Sequence, residues 1–283
     1  MACSPNSVTN NQPVFSSIKG LLHSITYRVF NANSIFRNNS LKTPNIFYCN
    51  DICFITDARI NKIRYSQFNN SVLDRTFVSF SHDDNPIHGT ALIFPEGYIF
   101  KKINHVQHNN PDRCFNIVSI INYLGNFELF ASLYLPKSIN FRVILEEFQV
   151  SIENLSLNQG QIPKLFIGCD LNVDFDRINV RHHDKPAYDK IMKMMEDLAL
   201  DDIFRTKYNS VTSEPGYTFY SGNTDFHPSR IDYLLVSKNL IADLMLSDAS
   251  SPLQFSFAEI SDKSDFSSDH NCIKWTLSAQ PRI

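Results

Sequence analysis

The 283-residue chain is poor in several features that would have decided its class at once. It has no run of about 18 apolar residues, so no membrane-spanning helix is expected. Its first residues lack the charged start and apolar stretch of a secretory signal. Six cysteines (3, 49, 53, 114, 169 and 272) occur without a CxxC pair, which argues against a zinc ribbon and against a disulfide framework. They read as mostly buried thiols of an intracellular protein. Positive charge is not in excess either: the net charge is −3, so a nucleic-acid partner would need a local basic patch. Neither an internal repeat nor a convincing linker is visible.

What is present is apolar content of 43%, with 23 phenylalanines, enough for a substantial core. Residues 1–22, "MACSPNSVTNNQPVFSSIKGLL", are expected to be a flexible leader, most of it polar and turn-rich, and residues 23–279 one domain. Alternation of Ile25, Tyr27 and Val29 marks a strand ending at Asn31. "NDICFITDAR" is a second strand and "HGTALIFPEG" a third. "NIVSIINYLGNFELFASLYLP" reads as two strands joined at the turn Leu124-Gly125-Asn126. Leu145, Phe148, Ile152 and Leu155 recur at helical spacing, as do Ile191, Met194, Met195 and Leu198. "KLFIGCDLNVDF", "SRIDYLLVS" and "HNCIKWTLS" add strands. Many strands with a few intervening helices predict an α/β sandwich.

Polar residues collect at the ends of these strands: Asn31, Asp57, Asp170 with Asn172, Asp232, and Asp269-His270. Each alone is ordinary, because Asp and Asn are turn formers. Along extended backbone, Asp170 and Asn172 should share one side. As a set they are coherent. Hard oxygen ligands suit Mg²⁺, and a histidine oriented by a carboxylate can move a proton or offset charge. Metal with acid–base groups around a phosphate is the chemistry of phosphoester hydrolysis.

"GCDLN", "SRIDYLLVS" and "SSDHNCI", in that order and near those spacings, resemble motifs of the DNase I-like endonuclease/exonuclease/phosphatase superfamily. Within it, the stretch "DDIFRTKYNSVTSEPGYTFYSGNTDFHPSRIDYLLVS" is most similar to the endonuclease domain of LINE-type (non-LTR) retrotransposons. The resemblance spans about Ile25 to Leu277. It implies a two-sheet sandwich flanked by helices, with the active site at one end, and a Mg²⁺-dependent endonuclease (Mn²⁺ as a substitute) acting on DNA. By the same resemblance Asn31, Asp57 and Asp269 are metal-site residues, Asp170 orients the attacking water, and Asn172 helps hold the phosphate. Asp232 pairs with the catalytic histidine, His270. Tyr134, in "LYLPKS", contacts the phosphate or orders the site, and Lys137 stands where the family has Asn. Thr218, Ser229 and Arg230 are expected to border the DNA, with a structural ion pair as the alternative for Arg230. A reverse transcriptase in a longer polyprotein is the implied partner, no membrane is, and action on genomic DNA implies the nucleus.

Inositol-phosphate phosphatases of the superfamily carry a Trp beside Gly-Asp-x-Asn and a Cys-Asp-Arg motif, neither of which is present. Repair endonucleases for abasic sites share "DLNV" and "RIDYLLVS", but usually have Trp where this chain has Ser229. A third reading is a degenerate member that only binds nucleic acid. Ser34 in place of Gly, Asp57 in place of Glu, and Lys137 point that way. Asp57 is also open to a plain alternative, a turn residue beside Arg59.

Overall fold

The computed structural model describes residues 24–34, 36–37, 40–41, 51–66, 73–79, 88–96, 98–108, 113–122, 124–137, 140–159, 162–177, 182–206, 216–220, 228–246, 253–255, 259–261 and 270–279. The expected leader lies outside these residues, as does Asp269. In chain order the strands are β1 (Ser24–Asn31), β2 (Phe36–Arg37), β3 (Ser40–Leu41), β4 (Asp51–Thr56), β5 (Thr76–Val78), β6 (Ala91–Ile93), β7 (Phe100–Gln107) and β8 (Phe115–Asn122). They continue with β9 (Phe127–Tyr134), β10 (Lys164–Asp170), β11 (Leu200–Asp202), β12 (Asp232–Ser237), β13 (Leu253–Phe255), β14 (Glu259–Ser261) and β15 (Cys272–Ala279).

They form two large sheets. One runs β13-β15-β1-β4-β6-β5, with β14 also paired to β15; the other runs β11-β12-β10-β9-β8-β7. Each sheet contains a parallel pair, β1 with β4 and β9 with β10, flanked by antiparallel neighbours. Helices Phe141–Leu157 and Lys185–Asp197 turn their apolar stripes, Ile144, Leu145, Phe148, Ile152 and Leu155 on the first and Ile191, Met194 and Met195 on the second, toward the β9-β10 sheet. Among the described residues no helix is long and apolar enough to cross a membrane. The four described cysteines, 53, 114, 169 and 272, are buried, with no disulfide among them.

Period-two alternation sets which residues enter the space between the sheets. Tyr27 and Val29 of β1, Phe54 of β4, Phe130 of β9, Phe166 of β10, Leu234 and Val236 of β12 and Trp275 of β15 all enter one core cluster. Tyr27 stacks on Phe166 with ring centroids 5.0 Å apart, and Phe130 on Phe166 at 4.9 Å. The opposite parity on the second sheet, including Leu129, Leu133, Ile167 and Leu235, packs under the helices. These strands are buried on both faces, hence their near-continuous apolar runs. Gly168 is required where the layers approach most closely: a Cβ there would lie 2.2 Å from Phe54 Cβ.

Counting forward two residues at a time along the inter-sheet face, the last apolar position on each strand gives way to one polar residue. On β1 Val29 is followed by Asn31, on β9 Phe130 and Ser132 by Tyr134, and on β10 Phe166 and Gly168 by Asp170. On β12, which runs antiparallel, Leu234 is preceded by Asp232. Register brings three of these into one row, Tyr134 and Asp232 both pairing with Asp170. Because β12 and β15 run against β10 and β1, their starts meet the ends of those strands.

Candidate active site

At this end of the sandwich Asn31 and Asp170 join the two sheets, the Asn31 Nδ2 donating to Asp170 Oδ2 at 2.7 Å. The Asn31 Oδ1 accepts from the Asn33 backbone N–H, which holds the amide in this orientation. Asp170 is buried, and its Oδ1 accepts from the Asn172 N–H. Burial, reinforced by the Asp232 carboxylate, pushes the Asp170 carboxyl well above the usual carboxylate range, against the opposing pull of His270 and of the hydrogen bonds from Asn31 and Asn172. Asp232 is wholly buried and its Oδ2 lies 2.7 Å from His270 Nδ1. Among the described residues its Oδ1 has no hydrogen-bond partner. Asp170, Asp232 and His270 offer donor atoms within 4.8 Å of one another, the cluster of this kind found among the described residues.

The cluster opens into a cleft of about 380 Å³. Tyr134 lines it, its phenol pushed far above the ordinary value by burial and by the Asp57 and Asp170 carboxylates, so the hydroxyl keeps its proton. Lys137 stands exposed at the rim. Asn172 reaches the cleft by a different route from the expected one. Its φ of +53° takes it out of the extended conformation, so alternation with Asp170 does not apply, and its Nδ2 donates to Leu135 O.

Asp57 also lines the cleft, but both its oxygens accept from Arg59: Nε to Oδ1 at 2.9 Å and Nη2 to Oδ2 at 2.6 Å. The turn Asp57–Arg59 places both residues at positive φ, +50° and +51°. Oxygen donors from Asn31, Asp57 and Asp170 around one cleft, together with an Asp232 Oδ1 that has no partner among the described residues, fit a hard divalent cation.

The expectations for DNA contact divide. Ser229 forms part of the cleft wall although nearly buried. Thr218 is fully buried, and its Oγ1 accepts from the N–H groups of Ile231 and Asp232, both at 3.1 Å. It therefore fixes the start of β12 and with it the Asp232 side chain, and does not face nucleic acid. Arg230 is 1% exposed. Its guanidinium pairs with Asp202 at 2.5 Å and Asp176 at 3.3 Å and lies over the Tyr233 ring. In place of the expected phosphate contact, the guanidinium makes ion pairs inside the protein.

Arg59, Asn33, Phe219 and His183 belong to the cleft although nothing singled them out as functional in sequence. Phe219 bridges to both Ser229 and His270, and its ring lies 5.0 Å from the histidine ring. Arg59 had one legible signal, its place two residues after Asp57.

By sequence the chain matches no protein-family model and no curated protein. Solved structures are similar in fold. The AP endonuclease LMAP from Leishmania major superposes with a TM-score of 0.66 at 12% identity, covering 91% of this chain and 88% of that one. The endonuclease domain of TRAS1, a telomere-specific non-LTR retrotransposon, gives 0.54 at 14% identity over 92% and 99%. An endonuclease/exonuclease/phosphatase from Bacteroides vulgatus gives 0.56 at 13% over 91% and 99%. The chain thus has the α/β sandwich of the DNase I-like endonuclease/exonuclease/phosphatase proteins.

Proposed function

We propose that the cleft is the active site of a metal-dependent phosphodiesterase, a DNA-nicking endonuclease of the retrotransposon type. The observation that carries this reading is the buried Asp170–Asp232–His270 cluster at the floor of a polar cleft. Asp232 holds the His270 ring in orientation, and a histidine beside a carboxylate is suited to offer positive charge to a phosphoryl oxygen. Asp170, with its raised proton affinity and the Asn31 amide fixing one oxygen, is suited to position water and accept its proton near neutral pH. Tyr134 supplies an O–H donor from the same row of the sheet. Lys137 at the rim adds charge toward the backbone of the nucleic acid.

Asn31 and Asp57, with Asp269 from the adjoining sequence, would hold Mg²⁺ or Mn²⁺. When bound, the metal supplies Lewis-acid stabilisation of the phosphoryl oxygens. The retrotransposon type is favoured over the abasic-site type by the stretch leading to Ser229, where repair enzymes usually carry Trp. In this reading the substrate is genomic DNA, the site of action the nucleus, and a reverse transcriptase the companion activity.

The test is nicking of supercoiled plasmid with and without Mg²⁺, beside a duplex carrying one abasic site. Nicking of both, abolished by His270→Ala, is expected. Cleavage confined to the abasic duplex would move the chain to the repair type, and binding without cleavage would make it a non-catalytic member.

A further inference from the structure

Asp57 and Arg59 form an unusually committed pair for residues two apart. The fork of the guanidinium covers both carboxylate oxygens, at 2.9 and 2.6 Å. The side chain of Asp57 is 5% exposed and that of Arg59 35%. The turn joining them is anchored on both sides: Asp57 O accepts from the Ser34 N–H at 2.9 Å, and the Ala58 N–H donates to Gly89 O at 2.8 Å. Both residues keep a positive φ that non-glycine residues rarely adopt. Such strain persists only where the surroundings enforce it. The surroundings here are the cleft itself, since Asp57, Arg59, Tyr134 and Asp170 all line it.

Resting on the metal-dependent phosphodiesterase reading, we propose that Arg59 is a built-in cation that occupies Asp57 until a divalent metal displaces it, and then turns onto a phosphate of the nucleic acid.

Three physical points carry the proposal. An almost dehydrated carboxylate needs a counter-charge, and Arg59 supplies it when no metal is bound. A hard divalent cation requires the same oxygens, so the two cations compete for Asp57. Arg59 also has somewhere to go: its side chain is one-third exposed at the cleft, and a planar guanidinium matches a phosphate as well as a carboxylate. Metal binding then creates a phosphate-binding group. By linkage, the factor by which metal strengthens binding of the polyanion equals the factor by which the polyanion strengthens binding of the metal.

The experiment measures Mn²⁺ binding to the full-length protein without nucleic acid, from the loss of the free-ion electron paramagnetic resonance signal. Binding of a cleavage-resistant phosphorothioate duplex is then measured with and without Mn²⁺. Arg59→Met is expected to bind Mn²⁺ roughly three- to tenfold more tightly, the range for losing a two-pronged but partly exposed competitor. It should also lose the Mn²⁺-dependent gain in duplex affinity. Arg59→Lys, which keeps the charge without the fork, should fall between the two, and it decides the question if Arg59→Met does not fold. In an Asp57→Asn background, Arg59→Met should have no further effect on Mn²⁺.

Unchanged or weaker Mn²⁺ binding by Arg59→Met overturns the proposal, as does a duplex gain that survives the substitution. The wild-type nicking assay separates this from the activity. A protein that nicks DNA while Arg59→Met leaves Mn²⁺ affinity untouched keeps its activity and loses this role for Arg59. Competition without any nicking does the reverse.

Discussion

Replacing Asp232 by Asn tests the centre of the site with little change in shape. Asp232 is wholly buried, with Oδ2 2.7 Å from His270 Nδ1, the length of a charge-assisted hydrogen bond. An amide oxygen in the same place still accepts from Nδ1–H, so the ring keeps its tautomer, but the imidazolium loses its counter-charge. A hydrogen bond to a charged group contributes roughly 1.5–3 kcal/mol. If that stabilisation is expressed in the transition state, the nicking rate falls about 10- to 150-fold. Stability should not fall in parallel, because the substitution also removes a buried charge whose Oδ1 has no partner among the described residues and which faces Asp170. Next to burial, Asp232 is the strongest influence raising the Asp170 carboxyl. Without it Asp170 gives up its proton at lower pH, and the acid limb of the rate profile should move the same way. The assay is single-turnover nicking of supercoiled plasmid at saturating Mg²⁺ across pH, beside a thermal melt. A rate within about threefold of wild type with an unmoved acid limb would show that the carboxylate is not what makes His270 effective.

Arg230→Ala should cost about 3–5 kcal/mol of stability by leaving the buried Asp202 carboxylate without its ion-pair partner, while Asp176 keeps Arg205, with no change in the salt dependence of DNA binding; a stable variant with a flatter salt slope would restore Arg230 to the DNA surface. Lys137→Ala should flatten the log–log salt slope of DNA binding by about one charge, with the melting temperature essentially unchanged, since Lys137 is exposed; an unchanged slope would place the DNA elsewhere. Glu128, buried on β9, has its carboxyl pushed up to about 7 by burial, despite Lys164 and the hydrogen bonds from Asn122 and Tyr98. The folded state therefore retains a proton that the unfolded chain has lost. The resulting stability is complete below about pH 4.5 and is lost as pH rises through about 7, amounting to at most about 3 kcal/mol. Relative to Glu128→Gln, wild type should weaken by up to that amount between pH 5 and pH 8 in urea unfolding, whereas parallel curves for the two proteins would refute the assignment.

Local pattern carried much of the architecture. Alternation of Ile25, Tyr27 and Val29 marks β1, and the spacing of Leu145, Phe148, Ile152 and Leu155 marks the helix against the second sheet, because a backbone of fixed periodicity turns every second or every third-to-fourth side chain the same way. The turn at Gly125, with φ +82°, was equally legible. β7 was not: Lys101, Lys102, Ile103 and Asn104 are all exposed, so this edge strand shows no buried face to reveal it. Asp170 and Asp232 could be placed at strand ends from sequence, but their meeting in one row depends on the antiparallel register of β10 with β12, which no local window contains. The same holds for Asn172 and Asp57. Their positive φ values place them in the cleft, and Asp57 sits in a turn held by hydrogen bonds from Ser34 and to Gly89, remote in sequence. Arg230 shows the limit most plainly. A charged residue beside a site motif invites a solvent role, and its burial against Asp202 and Asp176 arises only when distant segments fold together and exclude water from the pair. Sequence periodicity determined which side of each strand its residues occupy; the tertiary structure decided which charges would meet, because electrostatic partners are set by distance in space and by the loss of solvent between them.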